Sequence, residues 1–311
     1  MLLANGADIK SVLLLDVLLT WEPTLIRFFL DHGADALDGR PFAQAFGGKV
    51  RTALRPFVEY KRAHPELAAQ LQVQLDCALR HFCYKGDLKW VSLLIWAGGD
   101  ARSRGPSLEK EYTNDPECYT SGLEEACHSE NVEVLKRLKP DPRQDDLPEL
   151  LHCAAISSRK PILQYLLELG SNPNDKANGG SSALDTALWH VNFGSNDPYR
   201  GKRLRAKYEV WHAFDCMREL LAHGAIWNPD DKYHVNSLRR TLLECEPDVT
   251  IELLRLFHEH NACPAERVHS LLGAPRMREH LKSQATALSR LGIHLETAAR
   301  ARHQAGAAGR N

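Results

Sequence analysis

A short phrase recurs along the chain and restricts the folds that are open to it. Each copy is a pair of apolar residues, two variable residues, and then Gly-Ala-Asp or a close variant. An apolar helix end followed by glycine or asparagine is typical of a helix C-cap, because these residues enter the left-handed conformation with little strain. Helix ends that recur at intervals indicate a solenoid of stacked helical units. Clear and weaker copies of the phrase occur at Leu2–Asp8, Phe29–Asp35, Ile95–Asp100, Leu166–Asn172, Leu220–Ala225 and Phe257–Ala262.

The interval between copies gives the length of one unit. We place the glycine of the phrase at positions 6, 33, 99, 170 and 224, with Asn261 as the last marker. The interval from 33 to 99 is 66 residues, or two units of about 33 residues, a length typical of a helix–turn–helix pair with a connecting turn. The interval from 99 to 170 divides at Leu138–Pro140 into two units, and that from 170 to 224 holds one unit and an insertion.

The residues inside the units resemble those of ankyrin repeats. In the best unit, Leu150–Ala155 and then Ile162–Gly170 follow the ankyrin pattern T-P-L-H-x-A-A…V-x-x-L-L-x-x-G-A. The segment Asn174–Leu184 resembles the turn that forms an ankyrin finger. Most units lack the full Thr-Pro-Leu-His tetrapeptide, so the chain is similar to divergent members of the ankyrin-repeat family over about residues 1–283. Further matches lie at Gly122–Leu135 and Leu79–Leu94.

This resemblance implies an all-α ankyrin-repeat solenoid of about seven to eight stacked helix–turn–helix units, with negligible strand content. The array covers residues 1–283, with insertions at about 101–121 and 192–211, and residues 284–311 form an Ala/Arg-rich C-terminal helix and a frayed tail. We expect the second insertion to lengthen the second helix of its unit at the N-terminus. The predicted helix pairs are 11–20 with 23–32, 41–46 with 50–62, 71–84 with 88–97, 120–128 with 131–138, 148–156 with 160–169, 182–191 with 202–223, 235–245 with 248–260, and 265–272 with 275–291.

Composition and charge exclude several classes of protein. The net charge of −1 gives the whole chain no attraction to nucleic acid or to a membrane. No apolar run reaches the ~18–20 residues of a membrane span, and no basic region with a cleavage site opens the chain. We therefore expect a cytoplasmic protein and leave a translocated effector open. The chain opens inside a unit, which favours either a fragment or a minimal cap. Among eight cysteines without framework spacing, Cys77, Cys127 and Cys153 are predicted to be buried and reduced.

No combination of residues predicts a catalytic, cofactor or metal site. His258, His260 and Cys263 are a close set of metal-type ligands. However, a zinc site needs a fourth ligand, and polar residues at an exposed helix end explain the same pattern. His152 and Cys153 are neighbours on a helix and therefore point apart, and in ankyrin repeats the histidine at this position makes bracing hydrogen bonds. Phosphate-binding loops and nucleophile motifs do not occur in the sequence, so we predict no enzyme, no cofactor and no metal.

The resemblance implies a non-catalytic protein–protein interaction module, a scaffold or adaptor, that binds a partner protein with a concave face of fingers and first helices. One alternative is an inhibitor or substrate-capture subunit of an enzyme. Another is contact with nucleic acid through the basic insertion Arg200–Lys207, although that segment also fits a solvated helix face with Leu204, Tyr208 and Trp211 as its apolar stripe. We expect a protein partner; its identity and the oligomeric state stay open. The candidate partner-binding residues are Arg102, Arg104, Tyr112, Lys176, Asn178, Arg200, Lys202, Arg203, Arg205, Trp227, Asp230 and Lys232.

Overall fold

The computed structural model describes residues 8–106, 108, 119–196, 203–228, 234–236, 238, 247–262, 282 and 285–290. Within these ranges the regular structure is helical, with two isolated bridges and no strand. The all-α class predicted from the sequence is therefore confirmed. The contacts divide the chain into an N-terminal half, residues 1–144, and a C-terminal half, residues 145–311. No helix of the described residues is both long enough and apolar enough to span a membrane.

The N-terminal half is built from consecutive helix pairs stacked in two layers. Its helices are α1 (Leu14–Leu18), α2 (Pro23–Asp31), α3 (Pro41–Gly47), α4 (Leu54–Ala63), α5 (Ala68–Lys85), α6 (Leu88–Trp96), α7 (Gly122–His128) and α8 (Val132–Leu138). The first helices form one layer, in which α1 packs on α3, α3 on α5, and α5 on α7. The second helices form the other layer, in which α2 packs on α4 and α6 on α8. This arrangement is the stacking of helix–turn–helix units that the sequence predicts.

The C-terminal half repeats the same packing. Its helices are α9 (Leu147–Ile156), α10 (Lys160–Glu168), α11 (Ala183–Asn196), α12 (Arg203–Ala222), α13 (Pro247–Glu259) and α14 (Ala285–Arg290). The first helices α9 and α11 pack side by side, the second helices α10 and α12 do the same, and α11 packs on α12. Arg218 of α12 forms an ion pair with Glu252 of α13 at 3.4 Å, which joins the next helix to this stack.

Apolar residues at helical spacing form the interior of each half. Between α3 and α4, the rings of Phe42 and Phe46 lie 4.9 and 5.4 Å from the ring of Phe57, in edge-to-face contacts. All three rings are fully buried. Aromatic pairs with this geometry contribute beyond the area that they bury, so the unit is well packed although its residues match the ankyrin pattern weakly.

The recurring phrase ends helices as predicted, with one correction. Gly33, Gly170 and Gly224 have φ of 84°, 98° and 87°, and Asn261 has φ of 49°. In the third copy the left-handed residue is Gly98, with φ of 94°, and not Gly99 as we predicted from the sequence. The two neighbouring glycines were ambiguous in the sequence because either can adopt this conformation. The first copy, Leu2–Asp8, lies almost entirely outside the described residues.

The second insertion lengthens both helices of its unit. We predicted that α12 would be extended at its N-terminus, and it begins at Arg203 and has 20 residues, against 9 in α10. We predicted that α11 would end at residue 191, but the helix continues to Asn196. Among the last predicted pairs, residues 234–236, 238 and 285–290 are helical, and 265–272 lies outside the described residues.

Candidate partner-binding surface

Helix α5 carries polar side chains into the interior of the N-terminal half, and they hold the loops on either side. Buried Gln74 accepts a hydrogen bond through Oε1 from the backbone N–H of Phe42 (3.0 Å) and donates through Nε2 to the carbonyl of Ala36 (2.8 Å). Buried Asp76 accepts through Oδ1 from the backbone N–H of Asp100 (2.8 Å). Because interior backbone groups need partners, these two side chains fix the loops that enter α3 and leave α6.

Arg80 of the same helix holds the start of the first insertion. Its side chain donates from Nε to the carbonyl of Pro106 (3.1 Å) and from Nη1 to the carbonyl of Ser103 (2.9 Å), and the residue is 1% exposed. Burial lowers the pKa of Arg80, and neighbouring acidic groups oppose this effect. A Cβ atom on Gly105 would lie 2.5 Å from Nη2 of Arg80, so the loop approaches the guanidinium as closely as only glycine allows.

The base of the first insertion is closed by further polar contacts. Gly105 and Thr120 form an antiparallel bridge, with N···O distances of 3.0 and 3.3 Å. Arg104 donates from Nη1 to Oε1 of Glu124 (2.5 Å) and from Nη2 to the carbonyl of Tyr119 (2.8 Å). Glu124 also belongs to the capping box at the start of α7. Arg104, one of the predicted partner-binding residues, is therefore a fixed part of this loop base.

The finger of the C-terminal half lies between α10 and α11. Lys176 and Ser182 form an antiparallel bridge at its base. Ser182 then caps α11, because its hydroxyl accepts from the backbone N–H of Asp185 (3.2 Å) and the carboxylate of Asp185 accepts from the backbone N–H of Ser182 (3.0 Å). The backbone N–H of Asn178 donates to Oε2 of Glu149 on α9 (3.0 Å), which ties the finger to the preceding first helix.

The carboxylate of Asp185 also accepts a buried hydrogen bond from His234, at 2.9 Å between Oδ1 and Nε2. Nδ1 of His234 accepts from the backbone N–H of Asn228 (2.9 Å), so the geometry assigns the ring proton to Nε2, toward the carboxylate. Trp227 lies beside this pair, between the rings of His234 (6.4 Å) and Phe257 (6.0 Å), and is 1% exposed. The indole of Trp227, one of the predicted partner-binding residues, therefore belongs to the interior of this structure.

His152 braces two first helices. Its Nδ1 lies 2.8 Å from the hydroxyl of Thr186, so a hydrogen bond joins α9 to α11. The sequence predicted a bracing hydrogen bond at this position, and the structure shows that its partner lies in the next unit. Partial burial lowers the pKa of His152, and the charge of Glu149 opposes this effect.

This pKa shift predicts how the stability of the C-terminal half depends on pH. Since the pKa of His152 is lower in the folded state than its ordinary value of 6.5, the unfolded chain binds the proton more readily. We therefore expect the histidine to lower stability as the pH falls through 6.5 toward the folded-state pKa. Denaturant midpoints measured across this pH window should fall less steeply for His152→Gln than for the natural chain. Parallel pH profiles for the two proteins would contradict the assignment.

Exposed apolar side chains recur at one position of the first helices, in the N-terminal half and in the C-terminal half. Each member stands five residues after a buried leucine of a first helix, so the four residues occupy an equivalent position in four of the units. We call these four residues the helix-end row. Their side chains are 38–48% exposed, whereas the leucines that precede them are buried. The pairs of buried leucine and row residue are Leu14 and Leu19 on α1, Leu79 and Tyr84 on α5, Leu151 and Ile156 on α9, and Leu184 and Trp189 on α11.

The helix-end row is not among the residues predicted to bind a partner, although its signal is present in the sequence. The row position follows the Leu-x-x-Ala segment of the ankyrin pattern, and Ile156 and Trp189 are 33 residues apart, the length of one unit. The exposure of this position could not be predicted from hydrophobicity, because apolar residues in a helix are more often buried than exposed. In α3 and α7 the same position holds Gly47 and His128.

The predicted partner-binding residues are scattered over different environments. Arg102 is exposed, and its guanidinium lies 3.4 Å from the carbonyl of Lys139. Lys176 and Asn178 are exposed on the finger. Two further predicted residues lie in the first turn of α12, and nothing is described of their side chains: Arg203 and Arg205. The remaining predicted residues lie outside the described ranges: Tyr112, Arg200, Lys202, Asp230 and Lys232.

The cysteines of the described residues are buried in the interior. Cys77, Cys127 and Cys153 are buried, as predicted, and none of them forms a disulfide. Burial raises the pKa of the Cys216 thiol to about 12 and that of Cys83 further, so these two groups stay protonated and unreactive at neutral pH. His258 and His260 lie at the end of α13 and beyond it, and Cys263, the third residue of that set, lies outside the described residues.

Comparison with known families identifies part of this region. Residues 151–194 match a family model described as Ankyrin repeats (many copies). The match spans most of α9, all of α10, the finger, and α11 nearly to its end. Together with the layered packing of helix pairs, it confirms the ankyrin-type fold. No curated protein matches the chain significantly. Ankyrin repeats generally mediate protein–protein interaction, so the match supports a non-catalytic binding module.

Proposed function

We propose that this chain is a scaffold or adaptor that holds a partner protein against its first helices and finger. The observation that carries the proposal is the helix-end row. Single exposed apolar residues are common on protein surfaces and need no explanation. Large apolar side chains that stay exposed at one repeated position of a stacked array are different, because solvent exposure of each costs free energy that a bound partner recovers.

The C-terminal half offers the best-supported part of this surface. Ile156 and Trp189 are on helices that pack side by side, and tryptophan is among the residues most often found at the energetic centre of an interface. From Trp189 back to Ser182, where the finger ends, the helix rises by about 10 Å over seven residues. The exposed polar residues of the finger, Lys176 and Asn178, then provide a rim around an apolar centre, as in many protein interfaces.

The test compares capture of a partner by matched variants. Trp189→Ser is expected to weaken binding of the captured protein by about tenfold or more, since a central tryptophan often carries over 2 kcal/mol of binding free energy. Trp96→Ser is the matched control, because Trp96 is 65% exposed but lies at the end of the second helix α6. Affinity capture from the native cell, with quantitative mass spectrometry, identifies the partner, and titration with the purified partner measures the affinity.

Equal capture by the Trp189 variant and by the natural chain would contradict the proposed surface. Nuclease treatment of half of each sample separates the protein-binding proposal from the nucleic-acid alternative. Loss of the captured protein after nuclease treatment would instead indicate nucleic-acid binding through the basic segment Arg200–Lys207. If the captured protein is an enzyme whose activity falls when this chain binds, then the inhibitor alternative replaces the scaffold.

A further inference from the structure

The finger of the C-terminal half presents an Asn–Gly pair at its tip. The carbonyl of Ala177 accepts from the backbone N–H of Gly180 (2.8 Å), and the N–H of Ala177 donates to the carbonyl of Ser181 (3.1 Å). Asn178 and Gly179 are thus the two central residues of the turn, and both are exposed. Gly180 follows with φ of 78°, which fits a three-residue hairpin loop that ends in a left-handed glycine.

Asn178 differs from Asn131 and Asn174, whose side-chain amides are held by hydrogen bonds. Asn131 is held at the start of α8, accepting from the N–H of Glu133 (3.1 Å) and donating to the carbonyl of Gly86 (2.9 Å). Asn174 accepts through Oδ1 from the N–H of Ile226 (2.8 Å) and donates through Nδ2 to the carbonyl of Gly224 (2.9 Å). The side-chain amide of Asn178, in contrast, makes no hydrogen bond within the described part of the chain.

The backbone nitrogen of Gly179, which can react with the side-chain amide of Asn178, is also accessible. The backbone N–H of Gly179 makes no hydrogen bond to any described residue, and a Cβ atom built at this position would meet nothing within 4 Å. Glycine places no side chain beside the reacting atoms, and its backbone reaches conformations closed to other residues. Among the described residues, the turn therefore brings together a side-chain amide without a hydrogen bond and a backbone nitrogen without one.

We infer that Asn178 is a site of spontaneous deamidation. The backbone nitrogen of Gly179 loses its proton to solvent base and attacks Cγ of Asn178, forming a N–Cγ bond and a five-membered succinimide. The Cγ–Nδ2 bond breaks, and the amide group leaves as ammonia after taking up a proton. Solvent water then adds to either carbonyl of the succinimide. One product is aspartate at position 178, and the other is isoaspartate, in which the backbone runs through the side-chain carbon.

Either product changes the finger. The backbone N–H of residue 178 donates to Oε2 of Glu149, so the new carboxylate forms close to an existing carboxylate, and like charges repel. Isoaspartate also adds one atom to the backbone inside a turn whose closing bonds span Ala177 and Gly180. Time at neutral or alkaline pH therefore converts a neutral finger tip into an acidic one. That this conversion alters partner binding rests on the proposed function, whereas the conversion itself does not.

Peptide mapping of the aged protein tests the inference. The full chain is incubated at physiological temperature at mildly acidic, neutral and mildly alkaline pH, and its tryptic peptides are followed by mass spectrometry. Fragment ions assign the mass increase from amide to carboxylate to a residue, and elution separates aspartate from isoaspartate. Cleavage after Lys176 places Asn174 and Asn178 in different peptides, so Asn174 is an internal control. We expect Asn178 to convert at least about tenfold faster than Asn174, and faster as the pH rises.

A second variant separates the turn chemistry from general exposure. Gly179→Ala adds a methyl group into open space and is expected to slow conversion of Asn178 by about tenfold, with the far-ultraviolet circular dichroism unchanged. Conversion of Asn178 no faster than that of Asn174, or equal rates in the Gly179→Ala variant and the natural chain, would overturn the inference. Conversion of Asn178 with unchanged partner affinity would support the inferred modification site and would contradict only a role of the finger in binding.

Discussion

The Arg80→Ala variant is expected to lose about 3 kcal/mol or more of the free energy of unfolding of the N-terminal half. The guanidinium holds the carbonyls of Ser103 and Pro106 from inside the stack, and the residue is almost completely buried. Alanine would leave those two carbonyls without their charged donors and a cavity where the side chain had been. Denaturant unfolding followed by the fluorescence of Trp90, which stacks on Phe82 in the same half, measures the loss.

Two further variants separate the causes of this loss. Arg80→Met keeps most of the volume and removes the donors, so it should recover the cavity contribution but not the hydrogen bonds. Arg55→Ala removes an arginine whose side chain is 80% exposed and should cost less than about 0.5 kcal/mol. Hydrogen exchange of residues 103–106 should accelerate in both Arg80 variants. A loss for Arg80→Ala as small as that for Arg55→Ala would show that the buried guanidinium does not hold the loop.

The Asp185→Ala variant is expected to lose about 3 kcal/mol in the C-terminal half, because the buried Nε2–H of His234 loses its charged acceptor. His234 would keep its ring in the interior without the carboxylate that receives its Nε2 proton. The first turn of α11 would also lose its capping box with Ser182, a contribution of about 1 kcal/mol. Unfolding can be followed by the fluorescence of Trp227, whose ring lies beside His234.

A double-mutant cycle distinguishes the hydrogen-bonded Asp185–His234 pair from the cap. If the pair dominates, His234→Ala combined with Asp185→Ala should cost less than the sum of the single changes, with a coupling of about 1 kcal/mol or more. Asp185→Asn keeps an acceptor for the Ser182 N–H and should recover the cap alone. Additive losses would mean that the carboxylate of Asp185 acts only at the start of α11. Its contact with His234 would then make no contribution to stability.

Most helix positions could be predicted from the sequence because their causes are local. The glycine after each apolar helix end acts on the conformation of a single residue, and helical spacing of apolar residues acts over a few turns. For this reason the predicted second helices 88–97 and 160–169 agree closely with α6 and α10. The sequence was insufficient where two local solutions were equally good, as at Gly98 and Gly99, and where a helix continued into an insertion, as in α11.

The candidate surface was harder to predict than the fold. Charged finger residues were the natural candidates, but exposure depends on what packs against a residue, and Arg104 and Trp227 both have partners within the chain. The helix-end row contains apolar residues, which a sequence pattern assigns to the core by default. Only the register of the stacked helices shows that this position points away from the neighbouring layer.

The repeated phrase, the unit length and the helical spacing were sufficient to establish an all-α ankyrin-type stack, because each acts within a few residues of the chain. The burial of Arg80, Asp76 and Asp185 had no such local sign. Arg80 reaches backbone atoms 23 and 26 residues away, Asp76 holds a backbone N–H 24 residues away, and Asp185 pairs with a histidine of a later segment. Such charged side chains look like surface residues in the sequence. Their partners come within hydrogen-bonding distance only when the helices stack, so their roles depended on the packed structure.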